Sequence, residues 1–447
     1  MFNKNFVFGC ATASYQIEGA PNVDNKVPSI WDTFTKIKGN IDDSTDGSIC
    51  ALSYYKYKED VKLLKELGIS SYRFSIAWTR VIDENNNPNE KGIQYYISLC
   101  KELVSNGIKP LITLYHWDLP QWIQDKGGFL NRDIVSYFEK YVDVITKALS
   151  PYTNEFITIN EPQVILTLGH MYGVHAPGLK LSTKDLLVCV HNLLLMHGTA
   201  VKVIRKNVPS SFIGIAPCMR PLIPTTKDEL LYKKCYEAMF YLDKNGEFVN
   251  QTPIYLDPII FGDYPKNYYE DFKDILPDIK NGDLELISQK IDIIYYNFYT
   301  GTYASLDKNN NLKIADMSKG YKTGNVPWLQ IVPSTLYYGP KYLYERYKHP
   351  IAISENGYCN DDILSKDNKV HDEERIEYIN EYLKELDRVS KEIDLRGYYY
   401  WSLLDNFEWN NGLSKRFGLV YINFSNNERI KKDSFFHYQN IIKNKGI

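Results

Sequence analysis

The sequence predicts an eight-stranded parallel α/β barrel, and three observations carry that expectation. Eight short apolar, β-rich runs recur along the 447 residues, helical patterns lie between them, and no linker-like stretch divides the chain. Parallel strands covered by helices are buried on both faces, so they read as continuous apolar runs rather than alternating ones. The expected architecture is therefore a single (β/α)8 TIM barrel over residues 1–447, with loop insertions at the C-terminal face of its strands.

The first four runs are FVFGCAT (6–12), SYRFSIAW (71–78), KPLITLYHW (109–117) and EFITINE (155–161). The second four are FIGIAPC (212–218), DIIYYNFY (292–299), PIAISEN (350–356) and RGYYYWSLLD (396–405). Helical periodicity occupies KEDVKLLKELG (58–68), GIQYYISLCKELVSNG (92–107), RDIVSYFEKYVDVITKALS (132–150) and EERIEYINEYLKELDRVSKE (373–392). The first two of these close on glycine, the usual C-terminal stop. The polar stretches at 305–325 and around PTTKDELL (224–231) follow strands, so they are expected as loops over the mouth of the barrel.

A net charge of -3 and a pI near 6.3 leave no basic footprint, so neither nucleic acid nor an anionic membrane is expected as a partner. No apolar run approaches the roughly 20 residues of a membrane span, and the opening MFNKNFVFGCATASYQ has no signal-peptide pattern. The 7 cysteines are odd in number, scattered and free of CxxC pairs, which points to reduced thiols and a cytoplasmic location. The pairs His170/His175 and His191/His197 lack an acidic partner at a metal-binding spacing, and no phosphate-cradling glycine loop occurs, so neither metal nor cofactor is expected. With 37 Tyr and 7 Trp the chain is rich in aromatic faces, which suit sugar rings and core filling alike.

In a barrel of this kind the chemistry sits at the C-terminal ends of the strands. The polar and aromatic residues there are Gln16 and Glu18, Arg73 and Trp78, His116 and Trp117, then Asn160 and Glu161. Asn297 and Tyr299, Glu355 and Asn356, and finally Trp401, Asp405, Glu408 and Trp409 complete the set. Glu161 and Glu355 end the fourth and seventh strands, which face one another across an eight-stranded ring. Two carboxyl groups roughly 5–5.5 Å apart suit a retaining glycosidase, whereas roughly 6.5–9.5 Å suits an inverting one. The sequence leaves that spacing open.

Four motifs in order carry a resemblance over the whole length: FVFGCATASYQIEGA (6–20), TINEP (158–162), ISENG (353–357), and YWSLLDNFEW (400–409) with SKRFGLVY (414–421). On these the chain resembles glycoside hydrolase family 1, the β-glucosidase family. The resemblance implies a retaining β-glucosidase that removes terminal β-D-glucosyl residues from cellobiose, cello-oligosaccharides or aryl glucosides, as in cellulose degradation.

It also implies roles. Glu161 would be the general acid and then base, and Glu355 the nucleophile, its ionised form favoured by Arg73 and Tyr299. Asn160 would meet the sugar's 2-hydroxyl, with Asn297 beside it. Gln16, His116, Trp117, Glu408 and Trp409 would hold the sugar, Trp401 would be its stacking platform, and Trp328 in VPWLQIVP the platform for the leaving group. A small-molecule glycoside is the partner implied, with the oligomeric state left open.

Family members specific for 6-phosphoglycosides generally carry serine where Glu408 stands, and a lysine and a tyrosine downstream; this chain reads Glu408, Lys415 and Phe417. A carboxylate there repels phosphate, so the 6-phospho-β-glucosidase alternative ranks second. A preference for galactosides or fucosides is a further alternative, since Gln16 and Glu408 both approach the 4-hydroxyl. Three positions depart from the common pattern: Gln163 stands where many members have Trp, Phe129 replaces a Trp, and Tyr358 follows ENG. All three are expected near or behind the leaving-group subsite.

Overall fold

The computed structural model describes residues 1–446. Its eight barrel strands are β1 (Val7–Ala11), β2 (Ser71–Ser75), β3 (Lys109–Tyr115), β4 (Glu155–Asn160), β5 (Phe212–Ala216), β6 (Ile293–Asn297), β7 (Ile351–Asn356) and β8 (Leu395–Trp401). Each corresponds to one of the eight apolar runs. They close into a ring in sequence order, every pair parallel, with β1 sealing it against β8 from Val7↔Gly397 to Ala11↔Trp401. Strand interiors such as Leu111, Ile112, Phe156, Ile157, Ile293 and Ile294 are buried, each contributing about 1.5–3 kcal/mol by leaving water.

The apolar runs outlast the pairing at the mouth. β2 stops at Ser75 and the chain turns into a helical turn at Trp78–Val81; β8 stops at Trp401 although the apolar pattern continues to Leu404. Leu403 and Leu404 are fully buried, so segments over the mouth are as apolar as the strands and periodicity cannot separate them. Register irregularities fall between Ile157 and Asn160 in the β4–β5 pairing and between Ile353 and Glu355 in the β6–β7 pairing. Such local breaks re-aim side chains, and here they adjoin the two strand-end glutamates.

The four expected helices occur as Ser53–Leu67, Glu90–Ser105, Ile134–Leu149 and Glu373–Val389, the first closed by Gly68 at φ 83. A fifth helix, Thr183–Asn207, is capped by the Ser182 hydroxyl accepting from the Asp185 N–H. By length and composition it could cross a bilayer, but 89% of its apolar window is buried inside the fold, which makes it a core helix.

The stretch at 305–325 differs from the expected loop. Thr302–Leu306 and Leu312–Ile314 form two strands of a three-stranded sheet with Leu222–Pro224, and the central cleft takes Pro327 and Trp328 from just beyond that stretch. The segment around PTTKDELL leads into the helix Glu229–Met239, capped by Asp228, which brings Met239 to the cleft wall.

Candidate active site

A cleft of about 1240 Å³ opens at the C-terminal ends of the strands. It gathers Glu161, Glu355, His116, Trp117, Asn297, Tyr299, Trp328, Trp401, Glu408 and Trp409 from the C-terminal ends of five of the eight strands and the loops that follow them. Gln16, Arg73 and Asn160 are buried against it, each hydrogen-bonded to one of its lining residues.

The two strand-end glutamates occupy different surroundings. Arg73 Nη1 donates to Glu355 Oε1 at 2.7 Å, and the Tyr299 hydroxyl donates to Oε2 at 2.8 Å. Glu161 has no cation in contact; Asn297 Nδ2 donates to its Oε1 at 2.9 Å. Burial, and then the nearby Glu355 charge, push the Glu161 carboxyl up to about 8. Burial also raises Glu355, but Arg73, Tyr299 and Asn297 all pull it back toward the ionised form. Of the two, Glu355 is therefore the more readily ionised and Glu161 the one that keeps its proton to higher pH.

Local backbone geometry delivers both groups. Glu161 follows β4 at φ 42, a left-handed conformation, and Pro162 then starts the next helix where its missing N–H costs nothing. Beyond Glu355, Gly357 passes directly under β8: a Cβ there would lie 1.7 Å from the Trp401 carbonyl oxygen. Only glycine allows the ends of β7 and β8 to approach so closely.

Asn160 is the hub of the floor. Its Oδ1 accepts from Arg73 Nη2 at 2.6 Å and from Asn297 Nδ2 at 3.1 Å, which fixes the amide orientation and turns Nδ2 toward His116 Nε2 at 3.1 Å. The imidazole is neutral, because burial and the Arg73 charge depress its basicity, so its proton sits on Nδ1. That Nδ1 is buried without a partner, as is Gln16 Oε1; the two present a donor and an acceptor. Gln16 Nε2 meanwhile binds Asn406 Oδ1, the Phe407 carbonyl and Glu408 Oε2. Burial and the Glu355 charge push Glu408 itself up to about 8.

The aromatic residues differ in role. Trp117 donates its N–H to the Asn160 carbonyl at 3.1 Å and packs 4.5 Å from Trp409, so its polar edge is already engaged. Trp401 stacks near His116, with ring centroids 5.9 Å apart. Trp328 stands edge-on to Tyr299 at 5.6 Å and is 41% exposed.

Sequence reading overlooked the end of the fifth strand, where Cys218, Met219 and Arg220 line the cleft, and the wall formed by Val164, Leu168, Val174 and Met239. Position immediately after a strand was the available signal for Cys218; the apolar wall residues have none. None of the three departures from the common pattern lines the cleft. Gln163 clasps the Cys218 backbone, donating to its carbonyl at 3.0 Å and accepting from its N–H at 3.4 Å. Phe129 packs on Tyr115 and His170, and the Tyr358 hydroxyl donates to Glu374. The histidine pairs diverge: His170 bonds the Ile165 carbonyl, His175 Asn410, His191 Asp283, and His197 Thr158.

A parallel barrel that presents two carboxyl groups of unlike surroundings in one aromatic cleft has the arrangement of a glycoside hydrolase. The chain belongs to glycosyl hydrolase family 1, whose model matches residues 1–447. Beta-glucosidase A of Acetivibrio thermocellus is 41% identical over 454 residues, covering 100% of this chain and 99% of that protein. Beta-glucosidase A of Thermotoga maritima is 38% identical over 452 residues, covering 100% and 98%. A solved structure of the Thermotoga maritima β-glucosidase in complex with glucoimidazole matches with a TM-score of 0.90 at 38% identity, covering 100% of this chain and 99% of that one.

Proposed function

We propose that this enzyme is a retaining β-glucosidase acting by double displacement. The observation that carries the reading is the division of labour between the two glutamates: Glu355 is tied to Arg73 at 2.7 Å while Glu161 touches no cation. A single amide, Asn297, separates their surroundings, bonding Glu161 and standing in register with Glu355 on the adjacent strand. That favours the closer of the two carboxyl spacings, the one retention requires.

In the first step the Glu355 carboxylate attacks the anomeric carbon, the bond to the leaving oxygen breaks, and the Glu161 proton moves to that oxygen. In the second, Glu161 takes a proton from water, the water oxygen bonds the anomeric carbon, and the ester to Glu355 breaks. Asn160 has one amide hydrogen beyond its bond to His116, suited to the sugar's 2-hydroxyl. His116 Nδ1 and Gln16 Oε1 suit neighbouring hydroxyls, and Trp401 the ring face. Glucose is the favoured sugar, in keeping with the names of the relatives, and the Gln16–Glu408 pair suits the 4-hydroxyl of either epimer.

An unphosphorylated substrate is favoured because Arg220, held by Gln330, is the one cation lining the cleft among the described residues, and Lys415 is bonded to Asn325 instead. The test compares 4-nitrophenyl β-D-glucoside with its 6-phosphate; strong preference for the phosphate would overturn the sugar assignment. Glu355→Gly should lose turnover and regain it with azide, yielding α-glucosyl azide. A β-configured azide would instead make Glu355 the acid/base.

A further inference from the structure

We propose that the outer half of the cleft selects a flat, apolar leaving group of more than one ring in preference to a further glucosyl unit. This rests on the β-glucosidase reading and names the leaving-group class within it.

A cleft of about 1240 Å³ exceeds the roughly 300–1,000 Å³ typical of small-molecule pockets, so much of it lies beyond a single sugar. Beyond Glu161 and Glu355 its wall carries Val164, Leu168, Val174, Met219, Met239 and Trp328. Methionine adapts its shape and makes favourable contacts with aromatic rings, and an exposed indole offers a flat face.

Several polar side chains of the same region are engaged with one another or with backbone. Gln251 makes two bonds to the Asp243 backbone, and Asn250 donates to Glu247, which also accepts from the Tyr172 hydroxyl. Arg220 donates to Gln330. Gln330 in turn donates to the Pro327 carbonyl at 2.6 Å, bracing the residue beside Trp328. A glucosyl unit presents hydroxyls around its whole edge and needs free donors and acceptors to replace water. An apolar ring system needs none, and gains from the surfaces left open.

The side chain after the acid motif is also withdrawn. Gln163 is fully buried in its clasp on Cys218, so the surface next to Glu161 is formed by Val164, Cys218 and Met219.

The test uses leaving groups that are all alkanols or sugar hydroxyls, so that their acidity does not dominate. The value of kcat/KM for 2-(2-naphthyl)ethyl β-D-glucoside should exceed that for cellobiose by at least about tenfold, and cellotriose should be no better than cellobiose. Met219→Gln and Met239→Gln should each lower the naphthylethyl value roughly tenfold, through KM. Cellotriose matching or exceeding the naphthylethyl glucoside overturns the proposal, whatever the variants do. If the wild type fails on 4-nitrophenyl β-D-glucoside, it is the β-glucosidase reading that falls. The cleft is then tested alone by titrating 2-(2-naphthyl)ethanol against tryptophan fluorescence, where saturable quenching supports the proposal and no binding up to the solubility limit overturns it.

Discussion

Arg73 and Glu355 form a buried ion pair at 2.7 Å, with side chains 1% and 5% exposed. Because the guanidinium also donates to Asn160 and to the Ser354 carbonyl, it acts at once on the charge of one carboxyl group and on the orientation of the Asn160 amide in the cleft floor.

Removing the guanidinium leaves a buried carboxylate uncompensated, at a cost of about 3–5 kcal/mol. Arg73→Met should therefore keep Glu355 protonated well above the usual carboxylate range. The expected result is a loss of kcat/KM of roughly 10²–10³ or more, with the acidic limb of the pH profile moved to higher pH. An unchanged acidic limb in steady-state kinetics would count against the assigned roles.

As the proposed general acid, Glu161 must be protonated, so activity should fall as pH rises through about 8 in the free enzyme. The pair titrates together, and the profile reports both groups. Part of the upward push comes from the Glu355 charge, so Glu355→Gln should move the Glu161 titration to lower pH. Carbon-13 NMR of the labelled carboxyl group checks the sign directly. In the proposed double displacement, ester formation at Glu355 would remove that charge and so lower the pKa of Glu161 before its turn as base.

Gln163→Leu deletes both bonds to the Cys218 backbone and leaves its N–H without that partner. The expected cost is about 1–3 kcal/mol in thermal or denaturant unfolding. A Trp there should also destabilise, because the side chain is fully enclosed and overpacking costs about 1–3 kcal/mol.

Behind the cleft, the fully buried Lys432 ammonium bridges Asp362 and Asp405, and Arg375 joins Asp362 to Asp372. Asp405 also accepts from the Gly418 N–H, so the cluster ties the segment leading to Glu408 and Trp409 to the antiparallel hairpin of Val420–Asn423 and Glu428–Lys431. Lys432→Met leaves Asp362 only Arg375 and Asp405 only Arg416 as cationic partners, and should lower stability by about 1–3 kcal/mol through the lost charged hydrogen bonds. Differential scanning calorimetry would register this as a clear fall in Tm.

The barrel was legible because a parallel strand buried on both faces is a local apolar run, and eight such runs announce eight strands. Strand ends were less legible: Leu403 and Leu404 read as strand yet lie in a buried segment over the mouth. Among the site residues, those in motifs such as TINEP and ISENG could be picked out. Met219 and Met239 could not, since an apolar side chain in a loop has no local mark of function. Gln163 could be noticed as unusual, but its partner lies 55 positions away.

The amino-acid sequence by itself determined the order of strands and helices, the family, and which two glutamates end strands β4 and β7, because these depend on neighbours a few residues apart. Tertiary structure decided the electrostatic difference between the two, which the family resemblance could only imply. Arg73 reaches Glu355 across 282 positions, and Asn297 reaches Glu161 across 136. Only closure of the ring brings those groups into one dry cleft, where a single charge-assisted bond outweighs what either carboxyl group would do in water.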